Sequence, residues 1–269
     1  MRDTILHGDC RETLKQFDEQ ARTCITSPPY YGLRDYGGEE NQIGMEESPE
    51  KYVEQLVDVF RSVREVLTDD GTLWLNIGDS YYNYRSDGNY PKQTVSKTNQ
   101  DLPSFSPVRG NKLEGYKSKD LIGIPWLLAF ALRKDGWYLR QDIIWNKPNP
   151  MPESVRDRCT KSHEYIFLFS KSKNYYFDVD AIKESTIDGK GLKRKKSVWT
   201  VNTKPYKGAH FATFPPELIE PCVMAGSQKG DIILDPFMGS GTTGMVSNCL
   251  LYTSPSPRDR SLSRMPSSA

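Results

Sequence analysis

Apolar and polar positions alternate between two periods along the chain. DTILH (3–7) and RTCIT (22–26) read as short buried strands, separated by a helical stretch from Arg11 to Gln20. The clearest helix follows at about 49–67. Ser48 is placed to cap it, Pro49 fits its first turn, and Val53, Leu56, Val57, Phe60, Val63 and Leu67 share one face. Asp69-Asp70-Gly71 ends that helix and TLWLNIG (72–78) is the next strand. Residues 79–118 keep no period and are rich in Tyr, Ser, Asn and Pro, which predicts a long loop or small subdomain. Leu121–Lys134 is helical in pattern, with Pro125 marking either its start or a kink. Strands are predicted at 137–145, 164–170 and 175–179, a helix at 215–225, a strand at 231–234, and a Gly-rich turn opening a helix near Thr242. Strands alternating with helices imply an α/β sheet with crossovers.

Composition narrows the class. A length of 269 residues suits one α/β domain with insertions, or at most two small domains. Apolar residues make up 36% and mean hydropathy is −0.65, low but enough for one core. No apolar run approaches the roughly 20 residues that span a bilayer, and MRDTILHGDC lacks a signal-peptide pattern, so a cytoplasmic location is expected. Five scattered cysteines without a CxxC pair argue against a disulfide framework and against a zinc site; no metal is implied.

The net charge of +1 hides a segregation. Residues 81–119 carry +4, residues 183–207 carry +6, residues 251–269 carry +2, and the remainder carries −11. The run Lys193-Arg194-Lys195-Lys196 lies in the second basic stretch. On charge alone, solvated loops are the simpler reading; an acidic body with two basic insertions also suits a polyanion.

Two motifs carry chemistry. Ser27-Pro28-Pro29-Tyr30 directly follows a predicted strand. Two prolines offer no N–H and hold the chain extended, so the carbonyls and the Ser27 hydroxyl can face a ligand as acceptors. DPFMGSGTT (235–243) also follows a strand and opens a helix. Gly239 and Gly241 allow close backbone approach, and the helix start supplies N–H donors. It is not a phosphate-binding P-loop, because no lysine stands at the matching place, and it is not GxGxxG.

Together, and in this order, the motifs resemble the beta class of S-adenosylmethionine-dependent DNA amino-methyltransferases. The resemblance covers roughly residues 4–80 and 120–248, including the blocks 145–178 and 207–243. It implies a Rossmann-like, circularly permuted α/β fold with a mixed, mostly parallel sheet and two basic insertions. The catalytic core would be 1–80 and 120–250, with 81–119 a basic loop and 183–207 a target-recognition insertion. It further implies that Ser27 and Pro28 accept hydrogen bonds from the target amine and that Pro29 and Tyr30 complete the motif, Tyr30 stacking on a base flipped from double-stranded DNA. Asp9, Phe211, Phe214, Asp235, Pro236, Phe237, Gly239, Ser240, Gly241 and Thr242 would bind the cofactor. Lys193, Arg194, Lys195 and Lys196 would meet DNA phosphates, and a cognate restriction nuclease is a candidate partner. Ser rather than Asp at position 27 leans toward cytosine N4 over adenine N6. Cys222 follows a proline as in cytosine-C5 enzymes, yet its place within a predicted helix marks it as core. His163 and His210 are read as structural.

Three further expectations follow from the resemblance. A glutamine or RNA methyltransferase is disfavoured by motif order, whereas an inactive DNA-binding fragment stays open. The tail 251–269 has no period and reads either as a disordered terminus or, preferred, as sequence resembling translated adapter, in which case the native chain is expected to break off near Asn248–Leu251. A sheet strand would then be missing, and calorimetric titration of the 269-residue chain with S-adenosylmethionine should show weak binding; tight binding would contradict this.

Overall fold

The computed structural model describes residues 4–32, 42–82, 112–204 and 214–253. Its strands are β1 (Ala21–Thr26), β2 (Leu67–Ile77), β3 (Tyr138–Asn146), β4 (His163–Ser170), β5 (Glu184–Ser185), β6 (Leu192–Lys193), β7 (Val198–Thr200) and β8 (Ile233–Leu234). The helices are α1 (Cys10–Thr13), α2 (Pro49–Val66), α3 (Ile124–Lys134), α4 (Pro216–Gly226) and α5 (Thr242–Thr253). Six strands form one sheet in the order β7-β3-β4-β2-β1-β8, and β5 with β6 makes a separate hairpin. β1 runs parallel to β2 and β8, and β3 parallel to β7. Only β4 is reversed, pairing antiparallel with both β2 and β3. The sheet is therefore mixed and mostly parallel, as the motif order implies.

Strand alternation divides the core into two halves. Leu73, Leu75, Ile77, Phe167 and Phe169 pack on one side with Leu56, Phe60 and Val63 of α2 and Leu128 and Leu132 of α3. Their neighbours Ile25, Trp74, Ile166 and Leu168 pack on the other with Leu218, Ile219, Cys222 and Val223 of α4 and Val246 of α5. Ser48 caps α2, its hydroxyl accepting from the Lys51 N–H, with Pro49 in the first turn. Cys222 is buried in α4, as its helical context predicts.

This topology gathers chemistry on one edge. The C-terminal ends of β1, β8, β2 and β3 deliver Ser27, Asp235, Gly78 and Lys147 there. The reversed β4 brings its first residues to the same edge, with Asn146 opposite His163 and Trp145 opposite Glu164.

Several sequence expectations need correction. Residues 4–7 form no strand and leave Ile5 78% exposed; β8, the edge of the sheet among the described residues, pairs with β1 and not with them. The helix expected over 11–20 is only α1 plus a 3₁₀ turn at Leu14–Gln16. The run 175–179 crosses the outside of the sheet. Phe177 stacks on Trp74 at 6.1 Å, and the backbone bonds to Asp70 and Ala225 rather than joining a ladder. Its aromatic alternation serves packing. Within 183–207, β7 joins the main sheet and buries Trp199 against Trp74.

Candidate active site

Ser27 to Tyr30 leave the sheet where β1 ends. Tyr52, fully buried in α2, donates its hydroxyl to the Pro29 carbonyl at 2.7 Å, which fixes the second proline of the turn. The Tyr30 hydroxyl donates to Glu164 Oε2 at 2.7 Å, and Asn76 Oδ1 lies 3.4 Å away. Burial, and then the Glu164 charge, hold the Tyr30 phenol well above its usual pKa. A Cβ at Gly78 would stand 2.7 Å from Tyr30 Cε2, so the ring occupies space that only glycine leaves open.

The second motif meets the first across 209 residues of sequence. Asp235, at the end of β8, accepts from Thr26 Oγ1 at 2.5 Å through Oδ1 and from Thr243 Oγ1 at 2.7 Å through Oδ2. Oδ1 also accepts the Phe237 N–H at 3.0 Å. Burial raises the pKa of this carboxyl, against the three hydrogen bonds that favour its charged form. Asp235 thus ties β1, the Gly loop and α5 into one unit.

Gly239 (φ +53°) and Gly241 (φ +80°) take left-handed conformations. A Cβ at Gly241 would meet nothing within 4 Å, and one at Gly239 only the Phe237 carbonyl at 3.8 Å. The loop therefore shows open ground before the first turn of α5, bordered by the Ser240 and Thr242 hydroxyls (3.1 Å apart) and the half-buried Phe237, with the Gly241 N–H taken by the Met238 carbonyl at 2.9 Å. Such ground suits a ligand with a carboxylate and an aromatic base, which is the chemistry of S-adenosylmethionine.

The remaining expected site residues fall in different places. Asp9 caps α1, accepting the Arg11 N–H at 2.9 Å, and its carboxylate is ion-paired with the Arg11 guanidinium, which lowers its pKa. Arg11 in turn reaches Gln55 of α2 at 2.8 Å. Pro236 and Phe214 are half-buried, Phe214 against the α4 side of the core. Phe211 and His210 lie outside the described residues. Lys195 turns inward, pairing with Glu184 at 2.9 Å beneath the Trp199 ring, whereas Arg194 and Lys196 are exposed and Lys193 half-buried. His163 sits edge-on to Tyr165.

Sequence reasoning missed a polar group beside Tyr30. Glu164 Oε1 accepts from Lys147 Nζ, and Asn76 Nδ2 donates to Glu164 Oε2 at 3.3 Å and to the Tyr165 carbonyl at 3.0 Å. Nearby, Lys161 Nζ donates to the Asp79 carbonyl at 2.9 Å, while the Asp79 carboxylate caps α3 through the N–H groups of Gly123 and Ile124. Burial lowers the Lys161 pKa and raises that of Asp79. The signal was a polar residue inside each apolar strand, Asn76 in LWLNIG and Glu164 in HEYIFLF.

A family profile described as "DNA methylase", of the N6/N4 type, matches residues 21–252. The type II methyltransferase M.SmaI of Serratia marcescens is 55% identical over 244 residues, covering 90% of this chain and 81% of that protein. M.Cfr9I of Citrobacter freundii, also a type II methyltransferase, is 53% identical over 244 residues, covering 90% and 79%. Among solved structures, the PvuII DNA methyltransferase (cytosine-N4-specific) superposes with a TM-score of 0.62 at 19% identity, covering 90% of this chain and 76% of that one. The M1.HpyAVI–SAM complex gives 0.53 at 20% identity, covering 92% and 88%. These two likenesses establish the Rossmann-like methyltransferase fold.

Proposed function

Because the chain belongs to the N6/N4 family of S-adenosylmethionine-dependent DNA methylases, we propose that it methylates the N4 amino group of a cytosine flipped out of double-stranded DNA. The type II relatives, at 53% and 55% identity, support a place in restriction–modification, with a cognate nuclease as functional partner. Among the described residues no helix is long and apolar enough to cross a membrane, and the cytoplasm, where DNA is, is the expected location.

One observation carries the reading: the Thr26–Asp235 hydrogen bond seats the Ser27-to-Tyr30 motif directly beside the Gly loop. When bound, S-adenosylmethionine supplies an electrophilic methyl group on a sulfonium. The backbone of Gly239, Ser240, Gly241 and Thr242, with Pro236 and Phe237, would hold it, and Asp235 would brace that loop from behind. An exocyclic amine is a poor nucleophile because its lone pair is delocalised into the ring. Ser27 Oγ and the Pro28 carbonyl, accepting its N–H groups, would localise that pair; the Pro29 carbonyl is already taken by Tyr52. Positioning and electrostatics then supply the rate. Tyr30 would stack on the extruded base, offsetting an unstacking cost of a few kcal/mol. Arg194 and Lys196 are exposed and Lys193 half-buried; these side chains would meet phosphates, and their binding would weaken with salt.

Nucleoside analysis of plasmid DNA from cells expressing the protein tests the target. The expected product is N4-methylcytosine. N6-methyladenine as the only product would overturn the base assignment while keeping the family.

A further inference from the structure

Tyr30 is held more firmly than a stacking side chain needs for packing alone. Its ring edge abuts Gly78 and its hydroxyl donates to Glu164 at 2.7 Å. Glu164 is itself pinned twice more, by Lys147 Nζ on Oε1 and by Asn76 Nδ2 on Oε2. The side chains of Lys147 and Glu164 are only 17% and 15% exposed, and Lys147 Nζ stands 4.2 Å from the Trp145 ring centroid. An ion pair so buried loses in desolvation about what it gains in attraction, so stability is a weak reason to keep it. Orientation is a better one. Glu164 of β4 and Asn76 of β2 reach the phenol at the end of β1, and Lys147, at the end of β3, reaches Glu164.

We propose that Glu164, held by Lys147 and Asn76, is a positioning residue that fixes Tyr30 through its hydroxyl in the orientation that receives the flipped base. The inference rests on the reading of this site as a DNA amino-methyltransferase. Glu164 touches neither base nor methyl donor; it acts through Tyr30. A preset ring has no rotamer to select when the base arrives, so the step affected follows DNA binding. The signature is a fall in kcat with little change in KM for DNA.

The test is a double-mutant cycle in the full-length protein, with tritiated S-adenosylmethionine and unmethylated phage λ DNA. Tyr30→Phe removes the hydroxyl with its contacts to Glu164 and Ser27, and Glu164→Ala removes the acceptor and also leaves the buried Lys147 without its ion-pair partner. Each is expected to lower kcat about tenfold with KM for DNA within twofold, and the double variant to lose no more than about twofold beyond Tyr30→Phe. Glu164→Gln keeps an acceptor for the phenol but sets an amide donor against Lys147, or the reverse. It should lose about threefold, and lose nothing further once Tyr30 is Phe. Should Glu164→Ala not fold, the Glu164→Gln cycle decides. A ζ-¹³C-tyrosine label adds a readout besides activity: the resonance that vanishes in Tyr30→Phe should shift in Glu164→Gln. Multiplying effects, an unchanged kcat in the Glu164 variants, or an unmoved resonance overturns the proposal while wild type remains active. Wild-type protein that methylates no DNA even at saturating S-adenosylmethionine overturns instead the reading on which the proposal rests.

Discussion

Replacing Ser27 by alanine is expected to lower methyl transfer at least about 100-fold while DNA binding stays within twofold of wild type. Losing one group that stabilises charge as it develops at the reacting centre costs about 10²–10³ in kcat in comparable sites. The change deletes a single oxygen at the end of β1. The Thr26–Asp235 bond, the Tyr52 bond to the Pro29 carbonyl and the Tyr30–Glu164 bond all stay in place, so the turn keeps its path. Ser27 also interacts with the Tyr30 hydroxyl, but Glu164 continues to hold that group. Single-turnover methylation alongside fluorescence anisotropy with labelled duplex separates the outcomes. Activity retained in Ser27→Ala would remove Ser27 from the chemistry. Activity absent in both proteins, with duplex still bound, would favour the DNA-binding fragment over the enzyme.

The parts of this site differ in how openly the chain announces them, and the reason is contact range. α2 was legible because its signals are local: a Ser-Pro start and apolar positions three and four apart. Even there, Tyr52 and Val59 escaped the predicted face although both are fully buried, and Tyr52 is the residue that fixes Pro29. Ser27-Pro28-Pro29-Tyr30 and the Gly loop were legible as motifs, since each compresses its chemistry into a few consecutive residues. Their meeting through Thr26 and Asp235 depends on the strand order β2-β1-β8, which no local pattern encodes. The Glu164 group was hidden for the same reason. Its members come from positions 30, 76, 147 and 164 and converge only because β4 runs against its neighbours. The false strands at 3–7 and 175–179 show the converse error. Short apolar runs look alike whether they join a ladder, as β1 does, pack flat on a sheet, as Phe177 does, or stay exposed, as Ile5 does.

Asp235→Ala is expected to destabilise the fold by about 3 kcal/mol, because it strands the buried Thr26 hydroxyl and the Phe237 N–H at about 1–3 kcal/mol each, while Thr243 keeps the Ile25 carbonyl, less the relief of removing a desolvated carboxylate. For a chain of this size that is a fall in Tm of roughly 6–12 °C. Asp235→Asn should cost only about 1 kcal/mol. Its amide oxygen can still accept from Thr26 and Phe237. Its NH₂ can face Thr243, whose hydroxyl is free to donate instead to the Ile25 carbonyl, 3.2 Å away. The pair also fixes the sign of a pH effect. Burial raises the Asp235 pKa in the folded protein, so between the unfolded value, about 4, and the raised folded value the native state holds a proton that the unfolded chain has released. Stability therefore declines as pH rises through that window and is flat above it. Asp79 and Glu46 are raised by burial too and contribute with the same sign, so the informative quantity is the difference between wild type and Asp235→Asn. Denaturant titrations from pH 4 upward should show a shallower decline in Asp235→Asn than in wild type. Parallel curves would mean that Asp235 is ionised as readily in the fold as in the open chain, and that its three hydrogen bonds outweigh its burial.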